Sequence, residues 1–501
     1  MTEGSDVHKP AGESAEFKRA LWQEFARGVR NNVIAEFAVQ GLRVAGMVVL
    51  ARMLRPEDFG LFRVLIVVSI FVTLISDVGF PDALVQRKEI TPAHESTVWW
   101  ASLALAGGSA SLLYVGAPAI ARVMAMPELV AGMRLICLPV LLEGSAVTAN
   151  ARLRRRLNFG ALAIADVLGE IAFLAVAFLL LYTDHPGSSL AGGLAARFTA
   201  HALAIWTADA HAPIGMPRVA AVRDLGRFAL SALGANTAIC ISANADYLLV
   251  GRLLGTTALG FYSISWDLLR FTTARLHRVA VRVIVPAFSR LQNDDHELSR
   301  AYSELFSYLA RVVLPIIACI SVAAPEILAA LYGRHWTPAA MPMRLLAGGL
   351  ALSGLREGIG SIFYAKDHPS IDLHLNTLRF VLIVIAITSL AHAGLFGVSA
   401  GMSVVEGVIA VGGIYLACQL IGLKVRALLP AVVPGLRLTV WCLIATIAGK
   451  ATVMLGTFDG PVVLALVAIP PVLVFVALQG SEISRLLEKA FDRNPVRAME
   501  A

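Results

Sequence analysis

Several charged side chains of this chain sit inside long apolar runs, where they cost the most and could do the most. Asn32, Glu36, Gln40 and Arg43 recur at intervals that put them on one helical face. In a second run Asp267 and Arg270 share a face, and Arg275, Arg278 and Arg282 form another stripe. Arg356 stands beside Glu357; adjacent helical residues point about 100° apart, so each needs an outside partner. A guanidinium stays charged when partly desolvated and binds phosphate oxygens bidentately. Arg43, with Glu36 and Gln40 along its face, and Arg270, Arg275 and Arg356 are therefore candidate ligands for a phosphate-bearing anion. The plainer readings stand beside this one. Arg43 could only bridge to Glu36, Arg270 could only pair with Asp267, and Arg275 and Arg278 could be the basic end of a long helix. Arg63 lies where it could snorkel outward. Asp246 lies in an apolar run with no basic residue close by in sequence, and a helix-packing hydrogen bond is its simplest use.

The elements that hold these groups are membrane spans. Of the 501 residues, 57% are hydrophobic and 15% charged, and the mean hydropathy is +0.73. A soluble domain is about 45–50% apolar and about 25% charged, so a soluble enzyme is excluded. Apolar stretches of helical length fall near 31–50, 61–80, 96–118, 132–150, 160–182, 190–209, 231–250, 259–281, 309–331, 343–364, 378–394, 397–417, 433–450 and 461–479. They predict an all-α, polytopic membrane protein of about 14 spans. The first thirty residues are polar, so the first apolar helix is expected to serve as the targeting element in place of a cleavable signal. If the N-terminus is inside, Lys and Arg concentrate in alternate loops, as at Arg152, Arg154, Arg155 and Arg156, and at Arg218, Arg223 and Arg227. Both termini are then cytoplasmic. At ~1.5 Å rise per residue Arg43 sits ~18 Å from the inner end of its span and Arg270 ~16 Å from the outer end of its own.

Other chemistry is excluded. The five cysteines all lie in apolar runs and form no CxxC, which argues against a disulfide framework or a zinc ribbon. None of the 11 histidines has metal-site spacing, and no Walker A sequence is present. Gly397, Ser399 and Gly401 match G-x-S-x-G, but that nucleophile elbow needs a preceding strand; here the small residues open an apolar span and favour close helix packing. Gly354 and Gly358 read the same way. The net charge of +7 follows loop topology and does not mark a nucleic-acid surface.

The chain also repeats itself. At an offset of about 200 residues, Arg52 meets Arg252, Leu54 meets Leu254, Gly60 meets Gly260 and Phe62 meets Tyr262, with a weaker echo between 134–144 and 344–354. Six spans separate the copies, and six is even, so both face the same way. This is a parallel repeat about an axis along the membrane normal, which places a binding site between the halves.

The segments ARMLRPEDFGLFRV, ISDVGFPDALVQRKEIT, NADYLLVGRLLGTTALGFYSIS, VIVPAFSRLQND and ALYGRHWTPAA resemble the bacterial oligosaccharide flippases of polysaccharide biosynthesis, from about residue 25 to about 420. These belong to the superfamily that also holds drug exporters and the lipid II flippase. The resemblance implies two six-helix lobes around a central cavity, plus two added C-terminal helices. The expected organisation is a tail (1–30), an N-lobe (31–210), a linker (211–230), a C-lobe (231–420), two further helices (421–480) and a second tail (481–501). It implies a transporter and not an enzyme: a flippase of undecaprenyl-pyrophosphate-linked oligosaccharide in the bacterial inner membrane, working by alternating access. Arg43 and Arg270, on opposite lobes, would clamp the pyrophosphate. Asp246 could match an acid on the seventh helix of the lipid II flippase that takes part in cation binding, with Asn376 or Asp372 as partner, so H+ or Na+ coupling is expected and no cofactor. Expected partners are the lipid-linked substrate, the bilayer, and the polymerase and glycosyltransferases of the same pathway; a monomer is expected. A cation-coupled drug or metabolite antiporter is the rival on this architecture, and a membrane-embedded glycosyltransferase or polymerase is disfavoured by the short outside loops.

Overall fold

The computed structural model describes residues 38–87, 90–210, 215–290, 294–454 and 460–492. The described part of every apolar stretch named above is mainly helix, and no strand occurs among the described residues. The helices are α1 (38–53), α2 (Pro56–Asp77), α3 (Phe80–Gln86), α4 (Pro92–Met124), α5 (Leu129–Arg155), α6 (Phe159–Tyr182), α7 (Pro186–Ala208) and α8 (Val219–Arg290). They continue with α9 (Asp295–Val322), α10 (Ala324–Leu331), α11 (Ala340–Leu355), α12 (Ile359–Ala365), α13 (Ser370–Leu390), α14 (Gly394–Leu420), α15 (Leu429–Met454) and α16 (Gly460–Asp492). Eight described stretches are long and apolar enough to cross a membrane, one of them, Ser370–Leu420, taking in both α13 and α14. Their outward faces stay apolar, with Leu112, Val115, Leu138, Ile164 and Val404 exposed. In water this would be a liability; against lipid it is the requirement. The protein is an all-α, multi-pass membrane protein.

Two compact units divide the chain: one holds the residues up to Leu50 and Val64–Ile241, the other Ala51–Arg63 and Ser242–Ala501. In the first, α6 packs on α7, α4 on α5 and α5 on α7. In the second, α15 packs on α9 and α16, and α14 on α11 and α13.

Four predicted spans are not simple rods. The seventh and eighth run together as α8, bent at Gly255 (φ 86°, ψ 179°), a conformation that L side chains avoid. The ninth divides at Ala323, where Pro325 restarts the chain as α10. The tenth breaks after Leu355 and resumes after Gly358, which is left-handed (φ 85°). Gly358 is therefore a helix break and not half of a packing motif. Gly397 and Gly401 do lie within α14, where a Cβ on either would strike Leu390.

The repeat has a physical counterpart in the second unit. A Cβ on Gly60 would come 2.0 Å from the Thr256 carbonyl oxygen, and one on Gly260 would come 2.0 Å from that of Pro56. Thr257 Oγ1 donates to Glu57 Oε1 at 2.9 Å. Each contact maps onto itself or its twin under the 200-residue offset, as contacts across a two-fold axis must. Around this crossing, Trp336 Nε1 donates to Ala51 O (2.7 Å) and Arg52 Nε to Leu331 O (2.7 Å). The Phe59 and Trp336 rings meet edge-on at 5.1 Å. Because the obstacle at each glycine is backbone, Gly60→Ala and Gly260→Ala should each cost at least the ~1–3 kcal/mol of ordinary overpacking, and by similar amounts. Gly108→Ala, with nothing within 4 Å, serves as control in thermal unfolding. If Gly60→Ala proves as benign as the control, the crossing is not as described.

Orientation can be tested with single cysteines in a cysteine-free background. Arg154 and Pro186 are both exposed, at opposite ends of spans. Arg154→Cys should react with an impermeant thiol reagent only from the cytoplasm and Pro186→Cys only from outside; the reverse pattern would invert the topology.

Candidate functional site

In the first unit six ionisable side chains from four helices gather inside the span region. Arg43 (α1) donates from Nε and Nη2 to Glu170 Oε2 (α6) at 3.0 and 2.9 Å. Arg197 (α7) reaches the same oxygen at 3.8 Å. His201, one turn further along α7, faces Glu143 (α5) through Nδ1 at 2.8 Å and Asp166 (α6) through Nε2 at 3.8 Å. Close α6–α7 packing makes this possible: a Cβ on Gly169 would lie 3.3 Å from the Arg197 carbonyl oxygen. Glu170 is only 2% exposed, whereas Arg43 and Arg197 are each 36% exposed and Asp166 is 57% exposed. Intramembrane charges do not face hydrocarbon, so this half-open face is the one that meets water. Glu143 also borders a cavity of about 210 Å³ lined by Asp77, Asp82, Asn150 and Arg154. That cavity opens the cluster toward the arginine-rich end of α5.

The second unit has its own cluster. Arg63 lies over the Tyr247 ring, 4.5 Å from its centroid, and pairs with Asp267. Tyr247 Oη donates to the other oxygen of Asp267 at 3.0 Å. Tyr262 Oη donates to Asp246 Oδ2 at 2.9 Å, while Asp246 Oδ1 is buried without a hydrogen-bond partner among the described residues. Arg379 of α13 is within electrostatic reach of Asp246. It binds Glu406 of α14 through Nη2 (2.6 Å) and Nε (2.8 Å), and Ser242 O through Nη1 (3.1 Å).

The residues picked out from sequence divide accordingly. Arg43 is in an ion cluster, but its partner is Glu170, and Glu36, like Asn32, lies outside the described residues. Gln40 is half-buried on α1. Asp267 is taken by Arg63 and Tyr247, so Arg63 does not snorkel; Arg270 is exposed on the same helix. The side chain of Arg275 lies outside the described residues. Arg356 caps the C-terminus of α11, its stem against Gly413 of α14. Asp246 meets Tyr262, and Asn376 is half-buried on α13. Sequence reasoning passed over Arg379 and His201, and saw Arg197 within a span without placing it. Their one signal was a lone polar group in an apolar run, with partners too far along the chain to be read.

Residues 49–341, well over half of the chain, match the polysaccharide biosynthesis protein family. The chain belongs to that family. The matched span takes in the Gly60–Gly260 crossing and all of the first cluster except Arg43. Among curated relatives, the lipopolysaccharide biosynthesis protein WzxC of Escherichia coli (strain K12) is 24% identical over 412 residues, 77% of this chain and 79% of that one. The succinoglycan biosynthesis transport protein ExoT of Rhizobium meliloti (strain 1021) is 26% identical over 323 residues, 64% and 65% of the two chains. The fold matches that of the lipid II flippase MurJ in an inward closed conformation, with a TM-score of 0.72 and 13% identity over 92% of this chain and 99% of that one. This member of the family is a polytopic membrane protein with the fold of that flippase.

Proposed function

We propose that this chain flips undecaprenyl-pyrophosphate-linked oligosaccharide units across the bacterial inner membrane by alternating access, for exopolysaccharide, O-antigen or capsule assembly. The observation that carries the reading is the Arg43–Glu170–Arg197 group. Two guanidiniums share one buried carboxylate, so this group of three carries one net positive charge, beside the exposed Asp166. A cationic surface at span depth suits an anion that must shed much of its hydration, and the planar fork of arginine suits phosphate oxygens. Arg43 and Arg197 take the pyrophosphate in this reading, and Arg270 is an exposed guanidinium of the second unit that does the same work. The names of the two relatives, one in lipopolysaccharide synthesis and one in succinoglycan transport, support a sugar polymer pathway. Both termini are cytoplasmic, the working form is a monomer, and the polymerase and glycosyltransferases of the pathway are its functional neighbours.

The test is the sidedness of the substrate in cells lacking this gene. Lipid-linked oligosaccharide should accumulate where an impermeant oxidant reaches it in inverted vesicles but not in spheroplasts. An unchanged distribution, together with sensitivity to toxic cations, would favour the drug antiporter.

A further inference from the structure

The first cluster does not balance its charges. Glu143, Asp166 and Glu170 bring three carboxylates, Arg43 and Arg197 two guanidiniums, and His201 is the remaining member. Across the adjoining cavity Asp77 and Asp82 stand with Arg154 as the cation present, adding no positive excess. Among the described residues the six-membered group is short of one positive charge, and His201 is the member that can take up a proton to supply it.

The geometry around His201 says where that proton goes. A neutral imidazole has one N–H and one lone pair, so it can donate to only one of two carboxylates; an imidazolium donates from both nitrogens. Here both ring nitrogens face carboxylates, Nδ1 facing Glu143 at 2.8 Å and Nε2 facing Asp166 at 3.8 Å. The acids stand on opposite edges of the ring, so the three groups cannot close on one metal ion, and no metal-holding group of His, Cys, Asp and Glu occurs among the described residues. Access is available from two directions. Asp166 is on the half-open face, and Glu143 borders the cavity that leads toward Arg154. Histidine changes charge between about pH 5 and 8, the range across which a cell's proton gradient works. In the second unit, by contrast, the buried Asp246 has the fixed cation Arg379 for company.

We propose that His201, held between Glu143 and Asp166, is a proton-binding site whose loading and unloading couples transport to a proton gradient. The site stands on the cluster's own geometry; its coupling role rests on the transport reading above. Proton binding changes the charge one helical turn from Arg197, so occupancy by a proton and by an anion are linked.

The full chain, labelled with [15N]histidine and reconstituted in lipid bilayers, gives the direct test. Subtracting the 15N spectrum of His201→Gln from that of the wild type isolates one ring. That ring should be protonated on both nitrogens at pH 5 and on one at pH 8.5. In Glu143→Gln its midpoint should move toward acid by about one pH unit or more, because an opposing charge has been removed. A ring that stays neutral throughout, or a midpoint indifferent to Glu143→Gln, overturns the proton site. The second readout is the interior pH of vesicles loaded with a fluorescent indicator, with undecaprenyl pyrophosphate as the probe lipid. The wild type should move protons as the lipid crosses, and His201→Gln should not; lipid crossing without proton movement in the wild type overturns the coupling. If the probe lipid does not cross at all, the fault lies with the substrate reading, and the titration alone decides the proton site.

Discussion

Arg379→Ala is expected to leave too little folded protein to transport anything. Arg379 joins three helices of the second unit, binding Glu406 of α14 and the Ser242 carbonyl at the first arm of α8 from its own place on α13. Glu406 and Asp246 are both nearly fully buried. Without the guanidinium they become two uncompensated acids in the membrane interior. Breaking a buried ion pair from one side costs about 3–5 kcal/mol, a large part of the stability of an ordinary domain. Membrane accumulation and thermal unfolding in detergent should both collapse. Arg379→Lys should recover only part of the loss, since one ammonium cannot reproduce the fork that serves Glu406 and Ser242 together. Combining Arg379→Ala with Glu406→Gln and Asp246→Asn should restore folding, because no unpaired charge then remains buried. If Arg379→Ala accumulates and unfolds like the wild type, the cluster does not hold these helices.

Arg43→Ala should behave differently. Glu170 keeps Arg197 as a partner at 3.8 Å, so the protein should still accumulate in the membrane while polymer export falls by about 10- to 100-fold. That range corresponds to one or two charge-assisted hydrogen bonds to substrate, about 1.5–3 kcal/mol. Arg43→Lys should recover part of it. The competing reading makes Arg43 only a structural bridge to Glu170. In that case Arg43→Ala with Glu170→Ala should export better than Arg43→Ala alone, because the orphaned carboxylate is gone. Full export by the double variant would remove Arg43 from substrate binding.

These two arginines also mark how far the sequence could be read. The spans were legible because an apolar run of about 20 residues has few other uses, and the repeat because Gly60 and Gly260 pack so close to backbone that an added Cβ would come 2.0 Å from a carbonyl oxygen. The breaks at Gly255, Ala323 and Gly358 were not, since hydropathy is continuous through them. Arg43 was legible as a charge out of place. Its partner was not: spacing finds neighbours three or four residues away, and Glu170 lies 127 residues along the chain. For the same reason Asp267 reads from spacing as a partner of Arg270, three residues away, whereas Arg63, 204 residues away, holds it, and Arg379 and His201 went unremarked. The site becomes visible only when α1, α5, α6 and α7 are brought together.

The central claim is that this chain moves a pyrophosphate-linked oligosaccharide through the bilayer, and reconstitution tests it most directly. An undecaprenyl-pyrophosphate-linked oligosaccharide with a reducible fluorophore on its sugar is incorporated into vesicles with or without the full chain, and an impermeant reductant is added outside. In protein-free vesicles the inner-leaflet fluorescence should stay protected. With the wild-type protein that protected fraction should be lost, and with Arg43→Ala it should be lost far more slowly. A protected fraction unchanged by the wild-type protein, in vesicles where the protein is shown to be folded and inserted, would contradict the account.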